Sequence, residues 1–318
     1  MDTLERDLLW ASVGRILDGD HDRVGAELLE FGWAELLASA PDEAVPAAFE
    51  TAGARLAPLM LLDDVVLSAL GLPVGCSRVV YPLPARTVAG DLVGSRLEAR
   101  GVTVGPVETG DAVIVLANLD GSPALVRGRV VGVVIAGSEA GLDPFGGARE
   151  VSLTVSDTVL VDGDASAVAV DATAAARRAV AHDLTGVAQA TLDLALVHAR
   201  EREQFGRPIG TFQAVQHRCA ESHLAIAGAR VALDEAWAAP GRLTALLAKL
   251  WAGRAARISV RHSLQVLGGI GFTWEHPLHR YLRRAHVLDG LLGSSRQLAA
   301  ALGAEIRGAR AVPRLANL

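Results

Sequence analysis

The stretch from Ala199 to Gln213, AREREQFGRPIGTFQ, carries the side chains of this 318-residue chain best suited to gripping a phosphorylated ligand. Arg200 and Arg202 close a helical run, Phe205-Gly206 breaks it, and Thr211 can cap the next helix. Such a corner turns a guanidinium fork and unpaired backbone amides toward one point, an arrangement that suits a phosphate. A second candidate is QVLGGIGF, in which Gln265 precedes Gly268, Gly269 and Gly271. Glycines there remove Cβ atoms and let a ligand approach the backbone. GGIG is no dinucleotide fingerprint, because it ends a helical run and lacks the third spaced glycine. On residue type alone, Arg202 reads equally as a solvated helix end and the glycines as a helix stop.

These residues need elements to hold them, and the texture of the chain changes twice. Residues 1–72 show apolar positions at helical spacing, including the stripe Leu28, Leu29, Trp33, Leu36 and Leu37, and predict a small helical domain. Residues 73–170 hold short β-branched runs (Ala112–Leu116, Val130–Ile135, Val151–Val155, Val159–Val161) between Gly, Asp and Pro clusters. With no helices between them, these predict an antiparallel sheet or barrel. Residues 171–318 return to helical patterning, with a start at Asp171 or Thr173 and breaks near Gln204, Pro240-Gly241 and Gly268-Gly269. Pro277 opens a shorter helix and a last one covers much of 294–308, so the region predicts a helical bundle. The fold class is α+β.

Composition narrows the function classes. Hydrophobic residues at 51% with charged residues at 21% describe a globular chain. A net charge of −6 without a basic tract gives no electrostatic case for nucleic acid. The longest apolar run, from Leu56 to Leu72, is interrupted by Asp63-Asp64, which argues against a membrane span. The N-terminus has no signal-peptide pattern, and the two cysteines, Cys76 and Cys219, form neither a disulfide framework nor a metal spacing. The expectation is a cytoplasmic protein. His276, His279 and His286 lack a ligand pattern typical of a metal site, and none is inferred.

In domain order, and most specifically over about residues 185–285, the chain resembles the acyl-CoA dehydrogenases, flavoenzymes that desaturate acyl-CoA thioesters. The resemblance implies FAD as cofactor and a tetramer in which one subunit's helical domain clasps the diphosphate-adenosine end of a neighbour's FAD. The matching positions are Arg202, Gln204 and Phe205 in EREQFG, with Gln265, Gly268 and Gly269. Trp274-Glu275-His276-Pro277 with Arg280 and Arg283 also resembles the family's pattern, with ion pairs shaping the bundle as the expected role.

Dehydrogenation of this kind needs a carboxylate beside the substrate α-carbon. The resemblance places that glutamate just before a Gly-Thr pair, which corresponds here to Leu292 in DGLLGS, or before an arginine on the first bundle helix, which corresponds to Ala176 before Arg177. Both positions are apolar, and loss of a general base costs on the order of 10²–10⁴ in rate. Asp289, three residues before Leu292, is the reserve candidate, against the plainer reading of a solvated helix-end aspartate. Gly90–Arg96 resembles the family's glycine-lysine strand segment, but the stretch between Leu72 and Val88 that would pack a flavin ring is shortened. HPLHRYL and LLGSSRQL resemble the base-lacking subunits of heteromeric (α2β2) steroid side-chain acyl-CoA dehydrogenases. The expectation is therefore a chain with no catalytic base of its own, completing the FAD site of a base-containing acyl-CoA dehydrogenase subunit that acts on an acyl-CoA. A homomeric dehydrogenase using Asp289, and a flavin-free structural homologue, are the other two readings.

Overall fold

The structure, a computed structural model, describes residues 3–20, 23–84, 86–136, 142–144, 146–161 and 165–309. Five helices come first: α1 (Thr3–Leu17), α2 (Val24–Phe31), α3 (Trp33–Ser39), α4 (Pro41–Arg55) and α5 (Leu61–Ala69). The stripe expected around Trp33 is split between α2 and α3 at Gly32, whose φ of 99° lets the chain turn. Leu28, Trp33 and Leu37 are buried, whereas Leu29 is 41% exposed. Asp63 and Asp64 lie on the buried face of α5, each with one carboxylate oxygen bonded by a group outside the helix. The Tyr81 hydroxyl donates to Asp63 Oδ1 at 3.0 Å and the Gly75 amide to Asp64 Oδ1 at 3.1 Å. Burial pushes their carboxyls up to about 7 and about 6 respectively.

The middle region forms one six-stranded sheet: β1 (Arg78–Pro82), β2 (Gly90–Val93), β3 (Arg96–Thr103), β4 (Ala112–Leu119), β5 (Ser122–Ile135) and β6 (Arg149–Leu160). It closes on itself, because β3 pairs with β1 and β2 on one edge and with β6 on the other. Strand β3 alternates exposed and buried positions, as a stave with one face on a barrel interior must. Leu97, Val113, Val115, Val126, Leu153 and Val155 fill that interior. Two details depart from the sequence expectation. β1 and β2 pair with β4 in parallel, so the barrel is not wholly antiparallel. The runs Val151–Val155 and Val159–Val161 belong to the single strand β6, kinked where Asp157 takes a φ of 51°, and Val161 lies just past its end.

The C-terminal region is a bundle of α6 (Ala165–Glu201), α7 (Gln213–Ala238), α8 (Arg242–Leu267), α9 (Leu278–Gly290) and α10 (Ser295–Ala309). Helix α6 begins ahead of the Asp171 or Thr173 cap expected from sequence, because its first turns are too alanine-rich to show a boundary. Thr211 does not cap α7. Its hydroxyl donates to the Pro208 carbonyl at 2.8 Å, and Phe212 holds the cap position. Alanines line the contact between α6 and α8, so the axes approach closely enough for small hydroxyls to bridge them. Thr191 donates to Ser259 Oγ at 2.9 Å, Ser259 to the Ala188 carbonyl at 2.7 Å and Ser263 to the Thr191 carbonyl at 2.7 Å.

The crossing of α4 over α6 is tighter still. A Cβ on Gly186 would strike the Glu50 carbonyl, and one on Gly53 the Asp183 carbonyl. Backbone cannot yield as a side-chain tip can, so Gly186→Ala is expected to cost about 3 kcal/mol, the upper end of ordinary overpacking. Urea unfolding of the full chain measures this, and a loss under about 0.5 kcal/mol, the scatter of neutral substitutions, would show that the crossing is slack.

Candidate cofactor clasp and ligand cleft

Helix α6 runs out at Glu201, and the next residues make a two-residue hairpin from β7 (Glu203–Gln204) and β8 (Arg207–Pro208). Its tip residues, Phe205 and Gly206, take φ angles of 57° and 78°. Two successive positive φ angles match the twist of a tight hairpin. For phenylalanine the left-handed conformation costs roughly 1–2 kcal/mol, so the tip is held by its surroundings. The Phe205 ring, 90% exposed, meets Phe212 edge-on at 6.0 Å, and the Arg207 guanidinium lies over the Phe212 face at 4.4 Å. Arg202 is exposed, with its amide on the His198 carbonyl at 2.9 Å and its own carbonyl accepting from Ile209 at 2.8 Å. Among the described residues no carboxylate pairs with its guanidinium. Gln204 is exposed, and its Nε2 donates to the Glu203 carbonyl at 2.7 Å.

The second half of the corner starts where α8 stops. Gly268 takes φ 61° and ψ −135°, and residues Gly268–Phe272 follow as a 3₁₀ turn. Gln265 and Gly269 are exposed, and a Cβ on Gly268 or Gly269 would meet nothing within 4 Å, so the backbone there is open to a ligand. Gly271 differs from the sequence expectation. It is buried, and its missing Cβ makes room for Leu264 and Leu267, so it serves packing. Val266, Ala195, Ala199, Ile209 and Val215 form a small apolar cluster that brings the two halves to one end of the bundle.

The expected ion pairs downstream are replaced in part by aromatic contacts. Arg283 lies over the Trp274 ring at 4.8 Å, and His279 meets the same ring edge-on at 4.5 Å. His276 Nδ1 accepts from the Leu278 amide at 3.2 Å, and His286 Nδ1 contacts the Leu282 carbonyl at 2.7 Å. The three histidines thus have separate partners, and the described residues hold no group of three or more candidate metal ligands.

A cavity of about 1100 Å³ lies where α5, the barrel, the start of α6 and α10 meet. Ala176 and Leu292, which are 116 positions apart, both line it. Neither can accept a proton. The loop carrying Leu292 is rigidly built. Leu292 takes φ 60°, its carbonyl accepts from Arg177 Nε at 3.1 Å, and Lys249 Nζ donates to the Asp289 carbonyl at 3.1 Å and the Gly293 carbonyl at 2.6 Å. Lys249 is 1% exposed, and burial pulls its ammonium down to about 7. Asp289 lies outside the lining. Its Oδ1 accepts from the Ser295 amide at 3.1 Å and hydroxyl at 2.5 Å, so the carboxylate holds the start of α10. The reserve candidate thus sits in a structural contact outside the cavity lining. Asp91, bonded by Asn118 Nδ2 at 3.2 Å, is the one carboxylate among the described lining residues. Sequence spacing gives no sign of Asp91, Arg86 or Arg242 in this cavity, because they come from separate elements joined only by folding. Leu83, Pro84, Arg86, Thr87 and Val88, within the shortened stretch, line its wall.

Comparison with known proteins places this geometry. Residues 166–306 match the family model for the acyl-CoA dehydrogenase C-terminal domain. Over 127 residues, 40% of this chain and 41% of the relative, the sequence is 39% identical to acyl-CoA dehydrogenase IpdE2 of Mycolicibacterium smegmatis. The match thus spans about two fifths of that relative's length. The ChsE4-ChsE5 complex from Mycobacterium tuberculosis contains a similar chain, with a TM-score of 0.79 at 24% identity over 96% of this chain and 98% of that one. A variant of the Tcur3481-Tcur3483 steroid acyl-CoA dehydrogenase gives 0.76 at 23% identity over 96% and 98%. Identities this low establish the fold alone. Residues 166–306 thus match the acyl-CoA dehydrogenase C-terminal domain in sequence, and the chain shares its fold with these structures over 96% of its length.

Proposed function

We propose that this chain is the non-base-bearing subunit of a heteromeric acyl-CoA dehydrogenase. It clasps FAD held by a base-containing partner through Arg202, Gln204, Phe205, Gln265, Gly268 and Gly269. The observation that carries the reading is the contrast between the two sites. The corner presents an unpaired guanidinium, an outward aromatic ring and open glycine backbone, whereas the cleft has alanine and leucine where a base is needed. When bound, FAD would supply the hydride acceptor that α,β-desaturation needs. The residues of this chain bind and orient its diphosphate end, with Arg202 donating to phosphate oxygens and Phe205 covering an apolar edge. Two structures of similar fold are of complexes named for two components, and one of them is called a steroid acyl-CoA dehydrogenase, which supports a hetero-oligomer and a steroid side-chain thioester as substrate.

Co-expression with a base-containing acyl-CoA dehydrogenase from the same genome tests this. The expected result is a co-purifying, yellow, active complex, with neither flavin bands nor turnover in this chain alone. A chain that purifies as a flavin-loaded, active homo-oligomer would overturn it.

A further inference from the structure

The charge balance of the 1100 Å³ cleft points to a second ligand. Among the described residues, three guanidiniums line it, those of Arg86, Arg177 and Arg242, against the one carboxylate of Asp91. Asp91 is bonded to Asn118, and Arg242 is matched by Glu305 at 2.5 Å. Arg177 is half-buried, and among the described residues no carboxylate pairs with it. Burial and the neighbouring Arg242 push its guanidinium down from the ordinary value, with no acid offsetting them. A desolvated cation without a counter-ion is costly, and an incoming anion relieves that cost. Where the helices face the cleft, part of the wall is small and apolar: Ala172 and Ala176 on α6 and Ala301 on α10, with Leu292 beside them. Small residues on both helices leave room for a wide apolar body.

We propose that this cleft binds a bulky hydrophobic carboxylate, its body against Ala172, Ala176, Leu292 and Ala301 and its carboxylate on Arg177, and releases it unchanged. The ligand itself brings the negative charge that this half-buried arginine lacks. No turnover follows because neither Ala176 nor Leu292 can remove a proton. The site is separate from the clasp and does not depend on it, so the test reads binding without flavin.

Isothermal titration of the full chain, as purified with or without its partner, would use cholate as a rigid carboxylate and palmitate as a flexible one. Their methyl esters and CoA thioesters provide the comparison. Cholate is expected to bind one to one and at least about tenfold more tightly than its ester, as a charge-assisted contact of this kind provides. Arg177→Met is expected to weaken cholate binding about 10- to 100-fold while leaving ester binding unchanged. Because Arg177 also holds the Leu292 loop, Ala301→Trp, a change at an exposed helix position, serves as the second variant and should block acid and ester alike. Equal affinity for acid and ester, tighter binding of the CoA thioester than of the acid, or no binding in any arm would each overturn the proposal.

Discussion

Arg284→Met is expected to lower the stability of the chain by about 3–5 kcal/mol, the cost of breaking a buried ion pair from one side. Arg284 is fully buried on α9 and holds three parts of the fold together. Its Nε bonds the Asp143 carboxylate beyond the barrel strand β5, its Nη2 donates to the Ala57 carbonyl after α4 at 2.8 Å, and its Nη1 lies 3.6 Å from Asp183 Oδ2 on α6. Asp183 is fully buried, and burial pushes its carboxyl up to about 7 against the attraction of Arg284. With the guanidinium gone, two acids stay buried without a cation. Chemical denaturation should show the loss, and thermal unfolding should fall by roughly 10 °C for a chain of this size. The triple variant Arg284→Met, Asp143→Asn, Asp183→Asn removes the stranded charge and should recover most of the stability. A single-variant loss below about 1 kcal/mol, within the range of an exposed pair, would mean that the cluster contributes little.

The second large effect is on cofactor retention, and it follows from the proposed clasp. Arg202→Ala in the co-expressed complex is expected to weaken FAD binding about 10- to 100-fold, the value of a charge-assisted hydrogen bond or two. Adding Phe205→Ala should take binding down further. The isolated chain should keep its unfolding midpoint in both variants, because Arg202 is exposed and Phe205 is 90% exposed, meeting Phe212 edge-on. Flavin absorbance after gel filtration and titration of the stripped complex with FAD report the effect. Unchanged flavin content in the double variant would show that the corner grips something else.

Much of the bundle was legible in the sequence because helix signals are local. Pro240-Gly241, Gly268 and Pro277 mark the helix ends near where the structure has them, since each acts on its own φ angle or hydrogen bond. The start of α6 was not legible, because an alanine-rich run carries helix propensity without a boundary. The barrel was legible as β texture but not as closure or as parallel pairing to β4, which depend on contacts between residues far apart in the chain. Asp63-Asp64 reads as an interruption in an apolar run, yet the structure buries both, because Tyr81 and the Gly75 amide supply partners that no local pattern reveals.

The residues by themselves settled what chemistry this chain can offer. Leucine at 292 and alanine at 176 accept no proton in any fold, and an arginine beside a Phe-Gly break can grip an anion wherever it lies. Position was decided only by the tertiary structure. It set Ala176 and Leu292 on one cavity, placed Asp289 at the start of α10, buried Gly271 while leaving Gly269 open, and left Arg177 without a carboxylate among the described residues. Side-chain identity is a property of one residue. Burial, pairing and orientation belong to the packing of helices that meet across more than a hundred residues of chain.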